Sequence, residues 1–319
     1  MGMTKSERAQ IVLKILNKTY PKTPIPLDHK DNFTLLVAVL LSAQCTDERV
    51  NKITPKLFKV AKNPLKMSKL TQNQIYKIIK PCGLGPQKSK AIKQLSSILV
   101  KNFDGKIPDD MSDEEATLVV TAGTTMYGLT ELGGLIAGES VVVIGPGPIG
   151  LLGVAVAKAL GAGPVILIGT RDSRLEIGKK LGADYILNVK NETDVVKAVK
   201  DIVGTKGTDY VVECAGTEQA LNDAIMMTNR GGKICLAAFP HKPISINIPH
   251  MVINNIYMYG IRGEGKSATH RAMEFMKQKR FDASLVHTHT FNLDELPKAL
   301  KYARERIDNA IKIVIKPWS

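Results

Sequence analysis

The spacing of apolar positions changes near residue 108. Before it, they recur at helical intervals. Ile11, Leu13, Ile15 and Leu16 begin an amphipathic stretch that Tyr20-Pro21 ends. A loop with two prolines follows, and Asp31 is a candidate helix cap. The apolar run from Phe33 to Leu41 is too short to cross a membrane and suits a buried core helix. Thr46-Asp47 marks a break or cap before the next helix. Pro64, Gly83-Leu84-Gly85-Pro86 and Asp104-Gly105 punctuate further helices near 71–80 and 87–102.

After Pro108, short β-branched runs alternate with helical stretches. Strands are predicted at 141–145, 164–169, 183–187, 208–214 and 232–239, with helices near 148–160, 172–181, 192–202 and 217–228. Such alternation calls for a parallel sheet with helices on both faces. The expected class is therefore α/β: an all-helical N-terminal third, residues 1–108, followed by a Rossmann-type doubly wound parallel sheet with a C-terminal return segment, residues 109–319. The boundary falls within 104–115.

Composition adds one asymmetry. The chain has 319 residues and a net charge of +14. Residues 1–112 hold 20 Lys and Arg against 8 Asp and Glu, a net of +12, which leaves +2 for the remainder. The basic third therefore suits a polyanion such as DNA, or simply a solvated lysine-rich surface. Four separated cysteines, Cys45, Cys82, Cys214 and Cys235, make a disulfide framework or a cysteine-rich metal site improbable. With no secretory leader and no membrane span in the pattern, a cytoplasmic location is expected.

The strongest chemical signal is Gly145-Pro146-Gly147-Pro148-Ile149-Gly150, a G-x-G-x-x-G placed between a predicted strand and a predicted helix. Gly145 makes the tight turn, Gly147 admits a pyrophosphate close to the backbone, and Gly150 lets helix and strand approach. Pro148 and Ile149 open the helix whose free amides face the anion. At the end of the second strand, an NAD site carries a carboxylate for the ribose 2′-hydroxyl. Here Gly169, Thr170 and Arg171 stand in that region. Room, a hydroxyl and a guanidinium suit a phosphate, so NADP(H) is expected over NAD(H). Asp172 is read as the cap of the next helix.

Residues 113–319 resemble the cofactor-binding part of the zinc-type medium-chain alcohol dehydrogenases. The resemblance is carried by SVVVIGPGPIGLLGVAVAKALGA, RLEIGKKLGADYILN, VVECAGTEQAL, NRGGKICLAAF and IKIVIKP. Gly169-Thr170-Arg171 is similar to the NADP-dependent secondary alcohol dehydrogenases of that family. The resemblance implies that Ala215 and Gly216 line the nicotinamide side. It also implies that most zinc ligands, including a Gly-His-Glu motif, lie in a β-rich domain before the Rossmann unit. No such triplet occurs here, and one further ligand position aligns with Thr121, a poor zinc donor. His287 and His289 alternate along a predicted strand and read as ordinary surface histidines. His241, His250 and His270 lack partners at ligand spacing.

Residues 1–108 resemble the N-terminal half of the endonuclease III family of helix-hairpin-helix DNA glycosylases. The carrying stretches are FTLLVAVLLSAQCTDERVNKITPKLF, CGLGPQKSKAI and GKIPDD. The resemblance implies that Gln44 is the wedge that fills the base stack when a nucleotide is flipped out. Lys88 and Lys90 are read as phosphate contacts or solvated lysines. The family's Leu-Pro-Gly-x-Gly hairpin with its nucleophilic lysine, its Val-Asp-Thr-His context and its cluster cysteines do not occur.

The expected function is thus an NADP(H)-binding Rossmann domain of alcohol dehydrogenase type joined to an endonuclease III-like segment, as a natural fusion, a chimera or an assembly error. The main catalytic residues of both families are absent, with neither zinc nor an iron–sulfur cluster expected. The other reading is a DNA-binding or base-excision-repair protein that works through its helical third. A homo-oligomer paired through the sheet edge near 256–263 is a further expectation. Helix 33–41 is expected to be short of packing partners, and residues 1–112 to be cut by protease before 140–240.

Overall fold

The structure is a computed structural model that describes residues 11, 14, 15, 18, 26–107, 111–240, 242–263 and 267–316. Leu13 and Leu16 of the first predicted helix, and His241, lie outside the described residues. The chain divides into two compact units, residues 1–109 and 110–319.

The first unit is helical, with α1 (Asn32–Ser42), α2 (Asp47–Val60), α3 (Pro64–Lys69), α4 (Gln72–Ile79) and α5 (Gly85–Phe103). Asp31 caps α1 as the sequence suggests. Its carboxylate accepts from the Thr34 amide at 2.8 Å while the Thr34 hydroxyl accepts from the Asp31 amide at 3.0 Å. Val37, Ala38 and Leu41 of α1 are fully buried against Val50 and Leu57 of α2, Ile75 and Ile79 of α4, and Ile92 of α5. The expectation that α1 lacks packing partners is therefore corrected: the unit closes a core of its own. Each such aliphatic side chain contributes about 1.5–3 kcal/mol on burial.

The second unit opens with α6 (Asp113–Ala116) and α7 (Val119–Tyr127). A six-stranded sheet follows, made of β1 (Val141–Ile144), β2 (Val165–Gly169), β3 (Tyr185–Asn188), β4 (Thr208–Glu213), β5 (Thr228–Leu236) and β6 (Tyr257–Gly260). The intervening helices are α8 (Pro148–Ala159), α9 (Asp172–Lys180), α10 (Val195–Val203), α11 (Glu218–Met227) and α12 (Ile248–Ile253). Strand order is β3-β2-β1-β4-β5-β6 and every pairing is parallel, the doubly wound Rossmann arrangement. Side chains alternate between two cores. Val141, Val143, Val165, Leu167, Tyr210 and Val212 pack on one face, and Val142, Ile144, Ile166, Ile168 and Val211 on the other. Fully buried strands of this kind read in sequence as unbroken apolar runs.

Both ends of β5 move from their expected places. β5 starts at Thr228 because a register shift between Thr208 and Tyr210 lets Thr228 pair with Thr208. It ends at Leu236 because the Ala237 and Ala238 amides both turn back to the Glu213 carbonyl, at 2.8 and 3.1 Å. After β6 come α13 (Ala268–Lys277), β7 (His287–Asn292), α14 (Leu296–Glu305) and β8 (Lys312–Lys316), with β7 and β8 forming a separate parallel pair. No helix of the described residues is long and apolar enough to cross a membrane.

Candidate functional site

In this order the strands add outward from β1 to one side and from β4 to the other, and a crevice opens between these two at the strands' C-terminal ends. Ile144 ends β1, and Gly145 turns the chain at φ 101° with its amide on the Ile168 carbonyl at 2.9 Å. Only glycine adopts that conformation without strain. Gly147 precedes α8, whose first helical residue is Pro148, so the helix opens without a wasted donor. A Cβ on Gly150 would fall 2.0 Å from the Gly145 carbonyl oxygen, so helix and turn meet without space for a side chain. Nothing lies within 4 Å of the Cβ position of Gly147, which faces open space.

A cavity of about 820 Å³ occupies this switch point. Of the residues singled out in the sequence for the cofactor, Gly145, Gly147, Gly169, Thr170, Arg171 and Ala215 line it. Pro148, Ile149 and Gly150 are not among its lining residues and form the start of α8 instead, and Gly216, also outside the lining, follows β4 at φ 70°. Asp172 is the first residue of α9 rather than its cap, and its carboxylate accepts from the Asn188 side-chain amide at 2.7 Å. Three residues of this neighbourhood escaped sequence reading. Glu213 ends β4 almost fully buried, and its carboxylate accepts from the Ala215 and Gly216 amides at 2.7 and 2.9 Å. Burial pushes its carboxyl above the usual range, while those two amides pull it back. Its only sequence signal is an acid closing an apolar strand. Arg174 and Arg306 line the same cavity from distant positions in the chain, and nothing in their local sequence announces them.

The expected metal and DNA residues fall as follows. Among the described residues, no group of three His, Cys, Asp or Glu side chains stands close enough to hold a metal ion. Thr121 lies within α7. A register shift separates His287 from His289 along β7. The His287 Nε2 atom lies 2.9 Å from the Thr290 hydroxyl, while the His289 ring stacks on Phe291 and meets the edge of Tyr302. These donors do not fit zinc. In the helical unit, Gln44 is exposed in the left-handed conformation, φ 54°, and Lys90 is exposed. Lys88 is corrected: it is 5% exposed, and its ammonium donates to the carbonyls of Leu41, Ala43 and Cys82 at 2.8, 2.7 and 2.8 Å. All three of its donors are used, so none remains for a phosphate.

Comparison with known proteins places the second unit. The sequence profile of the family described as zinc-binding dehydrogenase matches residues 148–278. A sorbitol dehydrogenase of Bacillus subtilis is 32% identical over 218 residues, 68% of this chain and 61% of that protein. An L-threonine 3-dehydrogenase of Pyrococcus abyssi is 33% identical over 214 residues, 66% of this chain and 61% of its own. Among solved structures, 2R,3R-butanediol dehydrogenase from Bacillus subtilis superposes with a TM-score of 0.61 at 28% identity, over 66% of this chain and 60% of that one. The chain thus spans about three fifths of the length of these relatives. The glycine turn beside the switch-point cavity leads straight into the matched stretch, and residues 148–278 are a domain of the zinc-binding dehydrogenase family.

Proposed function

We propose that the Rossmann unit binds NADP(H), with the adenosine ribose at the end of β2 and the pyrophosphate over the start of α8. The observation that carries this reading is the wall formed by Gly169, Thr170 and Arg171, which presents a guanidinium and a hydroxyl to the cavity, with a glycine and no carboxylate at the end of β2. Gly145 and Gly147 keep the turn free of side chains, and the amides that open α8 face the anion. Ala215 and Gly216, held by the Glu213 carboxylate, border the nicotinamide end. When bound, the dinucleotide supplies a hydride donor or acceptor at its nicotinamide ring. The reading stops at binding, because Thr121 and the two histidines of β7 are no zinc donor set. Calorimetric titration tests it. NADPH binding at least tenfold tighter than NADH is expected, a difference of about 1.4 kcal/mol or more. Equal affinities, or none, would sink it.

A second reading concerns the helical unit, as a DNA-binding segment of endonuclease III type. Exposed Gln44 supports it: its left-handed backbone juts from the turn after α1, which the Lys88 ammonium ties down from beneath. Lys90 and the net charge of +12 over residues 1–112 give that surface its sign. Duplex-DNA affinity of the full chain should fall with salt at a log–log slope near −0.9 for each phosphate neutralised. Lys90→Ala should reduce that slope, and a flat salt response would discard the reading.

The edge strand β6 is the proposed seam for a second copy. Tyr257 is exposed there, beside Val252 and Ile253 on α12. An unprotected edge of this kind invites pairing. Sedimentation of Tyr257→Lys as a monomer where the parent is a dimer would support it, and a monomeric parent would refute it.

A further inference from the structure

The cavity holds more positive charge than the end of β2 alone supplies. Arg174 stands on the first turn of α9, 8% exposed. One of its Nη atoms donates to the Ala310 carbonyl at 2.5 Å, and its Nε has no partner. Arg306 is the left-handed C-cap of α14, at φ 56°, and lines the cavity from the opposite end of the fold's sequence. The segment between α14 and β8 is fastened to α9 by that Arg174 bond and by Ser173 Oγ on Asn309 Oδ1 at 3.2 Å. Among the described residues, none of Arg171, Arg174 and Arg306 has a carboxylate within ion-pair distance. Three acids also line the cavity. Asp194 caps α10 by accepting from the Lys197 amide, Asp223 accepts from Gln219, and Glu192 forms no ion pair with any of the three arginines. Burial, and then the charges of Arg171 and Arg306, hold the Arg174 guanidinium down to about 10. Arg174 alone is buried, with an idle donor, while Arg171 is half-buried and Arg306 exposed. A buried guanidinium with an idle donor beside two further cations is costly unless an anion completes it.

We propose that Arg174 and Arg306 join Arg171 in a three-arginine clamp for a phosphate monoester, the 2′-phosphate of NADP(H), with Arg306 closing the clamp from the C-terminal segment. This rests on the NADP(H) reading and extends it. Arg171 marks the preference, and the other two set its size. The clamp also makes the fit of the C-terminal segment against α9 depend on the cofactor, since the phosphate neutralises charges on both.

The test uses the full chain and four probes: NADPH, NADH, 2′,5′-ADP and 5′-AMP. Arg306→Ala should weaken NADPH and 2′,5′-ADP by about tenfold each while leaving NADH and 5′-AMP unchanged. The same substitution should raise the melting temperature of the ligand-free protein, because it removes a like charge, and shrink the rise that 2′,5′-ADP induces. Arg174→Lys, which keeps the charge, should retain part of the 2′,5′-ADP affinity. Equal weakening of all four probes by Arg306→Ala would mean contact with the adenine or the 5′-phosphate and overturn the proposal. So would no change at all. If the parent fails to prefer NADPH, the NADP(H) reading itself falls. If it prefers NADPH through Arg171 alone, that reading stands and only the clamp is lost.

Discussion

Gly169 lies so close under Pro146 that a Cβ added to it would sit 2.6 Å from the Pro146 Cγ. The proline belongs to the glycine turn and Gly169 to the end of β2, so two parts of the cofactor wall constrain each other. A carboxylate at position 169 therefore has no room while Pro146 keeps its place. Gly169→Asp is expected to destabilise the second unit by about 1–3 kcal/mol through overpacking, without gaining affinity for NADH. Thermal melting and NADH titration check it. An unshifted melt with tight NADH binding would show that the turn yields.

Gly150 sets a similar limit within the first turn of α8. Its Cβ position is 2.0 Å from the Gly145 carbonyl oxygen, a contact no side chain tolerates. Gly150→Ala must push the start of α8 away from the turn and move the amides that face the anion. NADPH affinity should drop at least tenfold, with 2′,5′-ADP and 5′-AMP affected alike because the defect precedes any distinction between them. Titration with both fragments measures it, and selective loss of one would count against a common anchor.

The sheet was legible because parallel strands buried on both faces are unbroken β-branched runs, and 141–144 and 165–169 leave no other reading. The glycine turn was legible because each glycine answers a local steric need. Arg174 and Arg306 were not, since their meaning comes from the fold bringing the end of α14 to the start of α9. A basic residue at a helix end looks the same in sequence whether it faces water or a cavity. Lys88 shows the reverse error. In the loop 83–90 it looks like a phosphate-binding lysine, yet the carbonyls it serves, on Leu41 and Ala43, lie more than forty residues earlier. Only the α1–α5 packing of the helical unit brings them together.

That lysine offers a test of the helical unit. Its ammonium holds the C-terminal carbonyls of α1 and the Cys82 carbonyl in one knot. Lys88→Met preserves the apolar stem but leaves these acceptors unserved. A loss of ~3 kcal/mol is expected, since each buried unsatisfied carbonyl costs about 1 kcal/mol or more. Hydrogen exchange should speed up at the amides of residues 41–45 and 82–84 ahead of the rest of the unit. Unchanged protection there would mean that water replaces the ammonium at no cost.

Acid should loosen the second unit at a definable place. Glu115 lies in α6 with its carboxylate on the Lys279 ammonium at 2.8 Å, and Glu114 pairs likewise with Lys316 at 2.8 Å. The hydrogen bond from Lys279 holds the Glu115 carboxyl below its usual 4.5, outweighing burial, which raises it. A folded-state value below the unfolded one means that the unfolded chain binds protons more readily. The stabilisation is therefore complete above pH 4.5 and is lost as the pH falls through the lowered folded value. The Lys279 side chain is 68% exposed, so solvent screening keeps the contribution of the pair small. Glu115→Gln should melt below the parent at pH 7, and the two curves should converge as the pH falls below 4.5 and through the lowered folded value. Added salt should narrow the gap at pH 7. A gap that persists unchanged into acid would assign the effect to packing of the side chain rather than to its charge.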